Sequence, residues 1–128
     1  LLINSVSCVN AAAQFAGIAA LQGPQDAVID MVTAFDERRK VIVKELNQIE
    51  GFRCVDPGGA FYTFPNIEGT GLNAQALQNK LLEEASVATV AGTAFGDNGE
   101  GYIRFSYANS KERIVEAMSR IKDCITTI

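Results

Sequence analysis

A long stripe of apolar residues at helical spacing is the feature that most constrains the fold of this chain. Over residues 25–49 the apolar positions follow one another at intervals of four, three, seven, four and three: Val28, Val32, Phe35, Ile42, Leu46 and Ile49. These intervals predict one amphipathic helix of about six or seven turns. Gly51 is its expected end. The charge cluster at residues 36–40 is interpreted as a solvated face of this helix.

Three further helices are predicted from capping residues and apolar spacing. An alanine-rich helix over residues 10–21 ends at Gly23, and its many small residues indicate close packing on most sides. Asn73 and Ser110 are positioned to cap two later helices. The inward positions of these two helices are Leu77, Leu81 and Ala85 in the first, and Ile114, Met118, Ile121 and Ile125 in the second.

Short aromatic and β-branched segments predict strands at residues 52–55, 60–64, 87–90 and 102–107. The resulting order, α-α-β-β-α-β-β-α, predicts an α+β fold. We expect a two-layer sandwich in which a small, mostly antiparallel sheet has helices packed on one face. Residues 1–128 are interpreted as one domain. Because the long helix exceeds what so small a sheet needs, we expect part of it to contact a surface outside this chain.

Composition excludes several classes of function. The chain of 128 residues has no His, so it contains no Ser-His or Cys-His catalytic pair and lacks the commonest zinc ligand. Cys8, Cys54 and Cys124 are too widely spaced to indicate a disulfide framework or a metal site, which leads us to expect reduced thiols and a cytoplasmic location. A formal net charge of -4 argues against nucleic-acid binding.

The N-terminal stretch is uncharged but does not have the pattern of a membrane segment. No charged residue precedes Asp26, yet polar residues interrupt the stretch, and its unbroken small and apolar run, residues 16–21, is too short to span a bilayer. We therefore expect no membrane partner. The chain opens at Leu1 without an initiator Met, and we expect it to be a piece of a longer protein.

Arg104 is the residue whose setting most suggests chemistry. Alternation over residues 102–107 places Arg104 and Ser106 on the face opposite to the apolar residues. An arginine between apolar neighbours needs a partner for its charge, and a planar guanidinium is suited to bidentate capture of a carboxylate. From alternation alone, two other interpretations stay open: an ion pair with a helix carboxylate, or an exposed arginine on an edge strand.

Two glycine-containing segments carry weaker signals. Residues 57–62 could let the backbone approach a ligand closely, although a hairpin turn is the simpler interpretation. Residues 92–96 resemble a loop that could cradle an anion, but they lack the Lys-Ser/Thr pair of a phosphate-binding loop. Tyr62 and Tyr107 are interpreted as aromatic residues at the edge of the core.

Five motifs follow one another in a fixed order along nearly the whole chain. They are residues 13–16 (AQFA), the set Met31, Phe35, Arg38 and Arg39, residues 57–65 (PGGAFYTFP), residues 81–96 (LLEE, then VATVAGTAFG) and the strand RFSYA that begins at Arg104. Together they resemble the C-terminal small domain of a class I/II (fold type I), aspartate-aminotransferase-like enzyme that depends on pyridoxal phosphate. One departure is Ala91, where the family usually has Pro, and it affects the rigidity of a loop and not the chemistry.

The resemblance implies a cofactor, a reaction and a role for Arg104. The parent protein would use pyridoxal 5'-phosphate to transfer an amino group between an amino acid and a 2-oxo acid, and Arg104 would bind the substrate α-carboxylate. Residues 5–8 would lie near the partner subunit's active site in a homo-oligomer, while Tyr62 and Phe95 would pack near the site. The lysine that holds the cofactor would lie in a large domain absent from this chain. The chain alone would then contain no catalytic residue and bind no cofactor.

Two alternatives to an aspartate-aminotransferase-like function remain open. The parent could act on aromatic, branched-chain or other amino acids, or be a lyase on the same fold. The chain could instead be a stand-alone interaction module without catalysis. We expect the isolated chain to self-associate, because its uncharged start and long helix would lose their partner surfaces when the large domain is absent.

Overall fold

The computed structural model describes residues 8–126. Contacts divide the chain into two compact units, residues 1–32 and residues 33–128. The α-helices and strands of the described part are α1 (Ala11–Gln22), α2 (Asp26–Leu46), β1 (Tyr62–Thr63), α3 (Ala74–Glu83), β2 (Val90–Ala91), β3 (Ile103–Ser106) and α4 (Lys111–Ile125). No helix between residues 8 and 126 is both long enough and apolar enough to cross a bilayer.

Helix α1 in the first unit forms where the sequence predicts it but lacks the expected packing. Asn10 caps it by accepting a hydrogen bond from the Ala13 N–H at 2.8 Å, and Gly23 ends it. No residue of α1 is buried, and the side chains of Phe15 and Leu21 are 73% and 85% exposed. The expectation of close packing is therefore wrong for the described residues. Small side chains allow a neighbouring element to pack closely against a helix, but they do not show that such an element is present.

Helix α2 ends at Leu46, three residues before the predicted end. The N–H groups of Gln48 and Ile49 bond to the carbonyl oxygens three residues back, which tightens the chain into turns. Gly51 follows with a φ of 81°, as expected for a residue that stops a helix. Of the apolar stripe, Ile42, Leu46 and Ile49 are buried, whereas Val28 and Val32 are exposed.

The second unit is an antiparallel sheet with helices on one face, as predicted. The strand order is β1-β3-β2, with Thr63 opposite Phe105 and Ala91 opposite Ile103. The core combines the inner face of β3 with the buried faces of three helices: Ile42 and Leu46 of α2, Leu77 and Leu81 of α3, and Ile114, Met118 and Ile121 of α4. The fold is therefore a two-layer α+β arrangement.

Helices α3 and α4 begin at the predicted caps. The Asn73 side chain accepts a hydrogen bond from the Ala76 N–H at 2.7 Å, and the Ser110 hydroxyl accepts one from the Arg113 N–H at 3.3 Å. All the inward positions predicted for these helices are buried. Capping residues and apolar spacing were thus sufficient to place both helices.

The predicted strand at residues 52–55 is not formed. Arg53 makes one bridge, in which its N–H and carbonyl pair with those of Asn66 at 2.9 Å. At the next position, Cys54, the backbone bonds to a side chain and not to a neighbouring strand. The Asn47 amide accepts a hydrogen bond from the Cys54 N–H at 2.9 Å and donates one to the Cys54 carbonyl at 3.0 Å. The observed order of helices and strands is consequently α-α-β-α-β-β-α.

All three strands that form are shorter than predicted. For β1 and β2, the conformation or hydrogen bonding of the preceding backbone explains the later start. Ala60 has a φ of 60°, in the left-handed region, so β1 begins only at Tyr62. Ser86 has a φ of 56°, and the Val87 N–H donates to the Leu81 carbonyl at the end of α3. Strand β2 therefore begins at Val90 and not at Val87.

The three thiols differ in accessibility, which gives a first prediction. Cys8 is exposed, whereas Cys54 and Cys124 are buried. Burial, with the nearby Asp56 charge, raises the pKa of Cys54 to about 11, and burial also raises the pKa of Cys124. Because the thiolate is the reactive form, we expect Ellman's reagent at pH 8 to modify one thiol per chain rapidly. A Cys8→Ser variant should lose this fast phase, and two or more fast thiols would contradict the described burial.

Candidate functional site

The candidate site lies on the outer face of the sheet. In an antiparallel pair, directly opposite residues point to the same face. Arg104 of β3 is opposite Val90, and Ser106 is opposite Tyr62 of β1. These four residues therefore share the face that points away from the core, while Ile103 and Phe105 are buried on the other face. The predicted alternation along β3 is confirmed.

The guanidinium of Arg104 lies over two aromatic rings. Its Cζ atom is 4.4 Å from the centroid of the Tyr62 ring and 4.7 Å from that of Phe95. Ring faces attract a cation through their negative quadrupole, and a planar guanidinium stacks well on them. Contact with the rings leaves the N–H groups at the edge of the guanidinium as its means of binding an anion.

Arg104 has no carboxylate partner in residues 8–126. The ion pairs of this part of the chain involve other cations, namely Arg39, Lys40, Lys80, Lys111 and Arg120. The structural ion pair considered as an alternative for Arg104 is thus not formed among the described residues. A half-buried cation whose hydrogen-bond donors are unused is suited to bind an anion from outside this set.

Phe95 is carried by a tightly folded loop of two 3₁₀ helices, Gly92–Phe95 and Asp97–Gly99. The Gly92 N–H donates to the Tyr102 carbonyl at 2.9 Å, which fastens the loop beside β3. A Cβ atom on Gly92 would lie 2.0 Å from the Gly99 carbonyl oxygen, so the two segments touch through their backbones. This close contact holds Phe95 near Arg104.

Neighbouring side chains attach the same loop to α3. Glu100 accepts hydrogen bonds from the N–H groups of Ala74 and Gly101 at 2.9 and 3.0 Å, and these bonds lower the pKa of its carboxyl group. The contribution of this link to stability is accordingly lost as the pH falls through that lowered pKa.

At Ala91, the departure from the family pattern, the N–H donates to the Gln78 side chain at 2.6 Å, a bond that Pro could not make.

Tyr107 fixes the two residues that precede Tyr62. The Tyr107 hydroxyl donates to the Ala60 carbonyl at 2.8 Å, and its backbone N–H donates to the Phe61 carbonyl at 3.0 Å. Burial raises the pKa of Tyr107, which is 1% exposed. Tyr107 is therefore a core residue that anchors the turn before β1, whereas Tyr62 lies on the outer face against Arg104.

Two other predictions about polar groups have clear outcomes. The charge cluster at residues 36–40 is not wholly solvated, because Arg39 is half-buried and bonds to both Asp36 and Asp56. Hydrogen bonds from Lys40 and then Arg39 lower the pKa of Asp36. In the loop at residues 92–96, the N–H groups of Gly92 and Gly96 bond to backbone carbonyls and are not available to an anion.

No group of three metal-ligating side chains occurs in the described part of the chain. Of the segment at residues 5–8, only Cys8 lies within the described residues, and it is exposed.

Comparison with known proteins shows the family of this chain. The model of the family "Aminotransferase class I and II" matches residues 2–121. The chain belongs to this family. It spans less than a third of the length of the curated relatives that it matches.

Its relatives include enzymes named for different substrates. An aspartate aminotransferase of Pyrococcus horikoshii is 48% identical over 114 residues, which are 88% of this chain and 29% of the relative. The crystal structure of an aromatic aminotransferase of the same organism matches with a TM-score of 0.77 and 45% identity, over 80% of this chain and 27% of that one. An alanine aminotransferase structure from Pyrococcus furiosus matches with a TM-score of 0.88 and 38% identity, over 94% and 31%.

Sequence reasoning missed two members of the site. The Phe64 ring stacks on Tyr102, with centroids 5.4 Å apart and planes 5° from parallel, and it also meets Phe95 edge-on at 6.0 Å. Tyr102 precedes Arg104 by two positions, so the alternation that placed Arg104 could have placed Tyr102 on the same face. Nothing in the sequence around Phe64 indicated that its ring would contact Phe95.

Proposed function

We propose that this chain is the carboxylate-binding part of an aminotransferase that depends on pyridoxal 5'-phosphate. Arg104 binds the α-carboxylate of the substrate. The observation that carries the proposal is the half-buried Arg104 guanidinium, which lies over two aromatic rings and has no carboxylate partner in the described residues. Membership of the aminotransferase family supports the reaction class.

A fixed arginine serves both halves of a transamination. The amino acid that gives the amino group and the 2-oxo acid that receives it carry the same α-carboxylate, so one guanidinium can orient both substrates. The bound cofactor supplies the electron sink for the carbanion chemistry. Arg104 contributes orientation: a carboxylate fixed by two parallel N–H···O bonds leaves its Cα substituents in a defined direction.

We assign the substrate carboxylate to the described residues, and the covalent attachment of the cofactor to the rest of the parent protein. Lys40, Lys80 and Lys111 are committed to ion pairs with Asp36, Glu84 and Glu37. The group that moves the proton at the substrate Cα is accordingly assigned to the rest of the parent protein. Selectivity for the side chain of the amino-acid substrate is also assigned to the rest of the parent protein, because relatives named for aspartate, aromatic amino acids and alanine share this region.

The test uses the full-length protein that contains this chain. With cofactor present, we expect it to transfer amino groups from amino acids to 2-oxo acids, with the aspartate and 2-oxoglutarate pair as the first assay. The Arg104→Ala variant should lose most of this activity for every amino acid. Arg53→Ala is the matched control, since Arg53 is an exposed arginine of the same unit.

Three results would redirect the proposal. Elimination without amino transfer would identify a lyase, and absence of both activities in a folded, cofactor-loaded protein would favour an interaction module. Equal activity of Arg104→Ala and Arg53→Ala would remove Arg104 from the site. The proposal also includes a homo-oligomeric parent in the cytoplasm, which light scattering and cell fractionation test directly.

The chain alone should not form a covalent adduct with pyridoxal phosphate. A protonated lysine is a poor nucleophile, and the hydrogen bond to Glu84 raises the pKa of Lys80 and so favours its protonated form. After borohydride reduction, peptide mapping should find no lysine labelled stoichiometrically among Lys40, Lys44, Lys80, Lys111 and Lys122. Full labelling at any one of them would contradict this prediction.

A further inference from the structure

The two rings that flank Arg104 do more than fill space beside it. A free arginine side chain has many rotamers, and an anion that binds it must restrict them. Tyr62 and Phe95 reach the guanidinium from different elements, the first from β1 and the second from the 3₁₀ loop after β2. Restriction by ring contacts is therefore already present before a carboxylate arrives.

Both rings are themselves held. The Tyr62 ring packs on Phe61 at 4.4 Å, and the turn before it is tied down by the Tyr107 hydroxyl. Phe95 meets Phe64 edge-on, and its loop is fixed by the contact between Gly92 and Gly99. Because other residues fix both rings in place, the rings restrict the motion of the Arg104 guanidinium.

Resting on the proposed function, we propose that Tyr62 and Phe95 are positioning residues that preorganise Arg104 for the substrate carboxylate. The rings hold the guanidinium plane so that its edge, with parallel N–H donors, is presented to the carboxylate in bidentate geometry. The aromatic character of the two side chains matters more than the Tyr62 hydroxyl, because the contact is made by ring faces.

The experiment compares leucine and aromatic replacements in the full-length holoenzyme. Tyr62→Leu and Phe95→Leu should each raise the KM for amino acids about five- to tenfold, with a smaller change in kcat, as expected when binding common to ground and transition states is lost. Tyr62→Phe and Phe95→Tyr, which keep the rings, should restore KM to within about twofold of the parent value. Phe52→Leu is the matched control, since its ring is buried in the core against Phe105 and contacts neither Arg104 nor the two rings beside it.

A double-variant comparison separates this inference from the proposed function. In an Arg104→Ala background, Tyr62→Leu and Phe95→Leu should have no further effect on KM, because the rings act through the guanidinium. If Arg104→Ala alone impairs the enzyme but the leucine variants leave KM unchanged, the positioning role is wrong and the proposed function stands. An unchanged kcat/KM in Arg104→Ala itself would overturn the proposed function.

Purely structural roles for the rings also have a distinct signature. In one such result the leucine variants lose thermal stability, and Tyr62→Phe and Phe95→Tyr do not bring KM back near the parent value. This result would show that packing and not orientation is affected. The same conclusion follows if Phe52→Leu raises KM as much as Phe95→Leu does. Either outcome overturns the inference.

Discussion

Arg104→Ala should reduce kcat/KM of the full-length enzyme by roughly a hundred- to ten-thousandfold. Hydrogen bonds to charged groups contribute about 1.5–3 kcal/mol each, so the two bonds of a bidentate pair contribute about 3–6 kcal/mol. Each 1.4 kcal/mol corresponds to about a factor of ten in rate. The loss should appear with every amino-acid substrate, since all share the α-carboxylate. Steady-state kinetics across a panel of amino acids measures it.

Two comparisons make this result specific to carboxylate binding. Arg104→Lys should recover only part of the loss, because an ammonium restores the charge without the planar fork. Amines without a carboxylate should be nearly unaffected by either substitution. If Arg104→Ala instead unfolds the protein while the surviving folded fraction keeps a normal kcat/KM, Arg104 has a structural role and the assignment fails.

Gly92→Ala should destabilise this chain by about 3 kcal/mol or more, the upper range for overpacking. The added Cβ would lie 2.0 Å from the Gly99 carbonyl oxygen and 2.8 Å from that of Tyr102. Both are backbone atoms, so relief requires movement of the loop or of β3 and not the rotation of a side chain. Urea unfolding followed by circular dichroism would measure the change.

Gly58→Ala provides the matched control for this measurement. A Cβ at Gly58 meets no atom within 4 Å, so we expect a change within about 0.5 kcal/mol of zero. Equal midpoints for the two variants would show that the contact between Gly92 and Gly99 is looser than described. Because the same contact holds Phe95 beside Arg104, Gly92→Ala in the full-length enzyme should also raise the KM for amino acids.

Local rules predicted most of the helices and the direction of Arg104, but not the lengths of the strands. Asn73 and Ser110 cap their helices because capping depends on residues three positions away. The strand expected at residues 52–55 failed because the competing group, the Asn47 amide, is seven positions from Cys54 and directly follows the preceding helix. β propensity contains no information about such a competitor.

The site was predictable in part for a similar reason. Alternation along β3 places Arg104 on the outer face, and family resemblance suggests what it binds there. The contact with Phe95 depends on the path of a loop with two 3₁₀ helices, and that path depends on a backbone approach between Gly92 and Gly99. Glycines in a sequence indicate where close approaches are allowed, but not which segments make them.

The Asn47 amide also affects how molecules of this protein can meet. A short extended segment beside a sheet exposes backbone donors and acceptors, and such an edge can recruit a strand from another molecule. On one side Arg53 pairs with Asn66, and on the other the Asn47 amide occupies both the N–H and the carbonyl of Cys54. A single side chain therefore closes this edge to strand exchange and to growth of a sheet between molecules, without adding a charge or a proline.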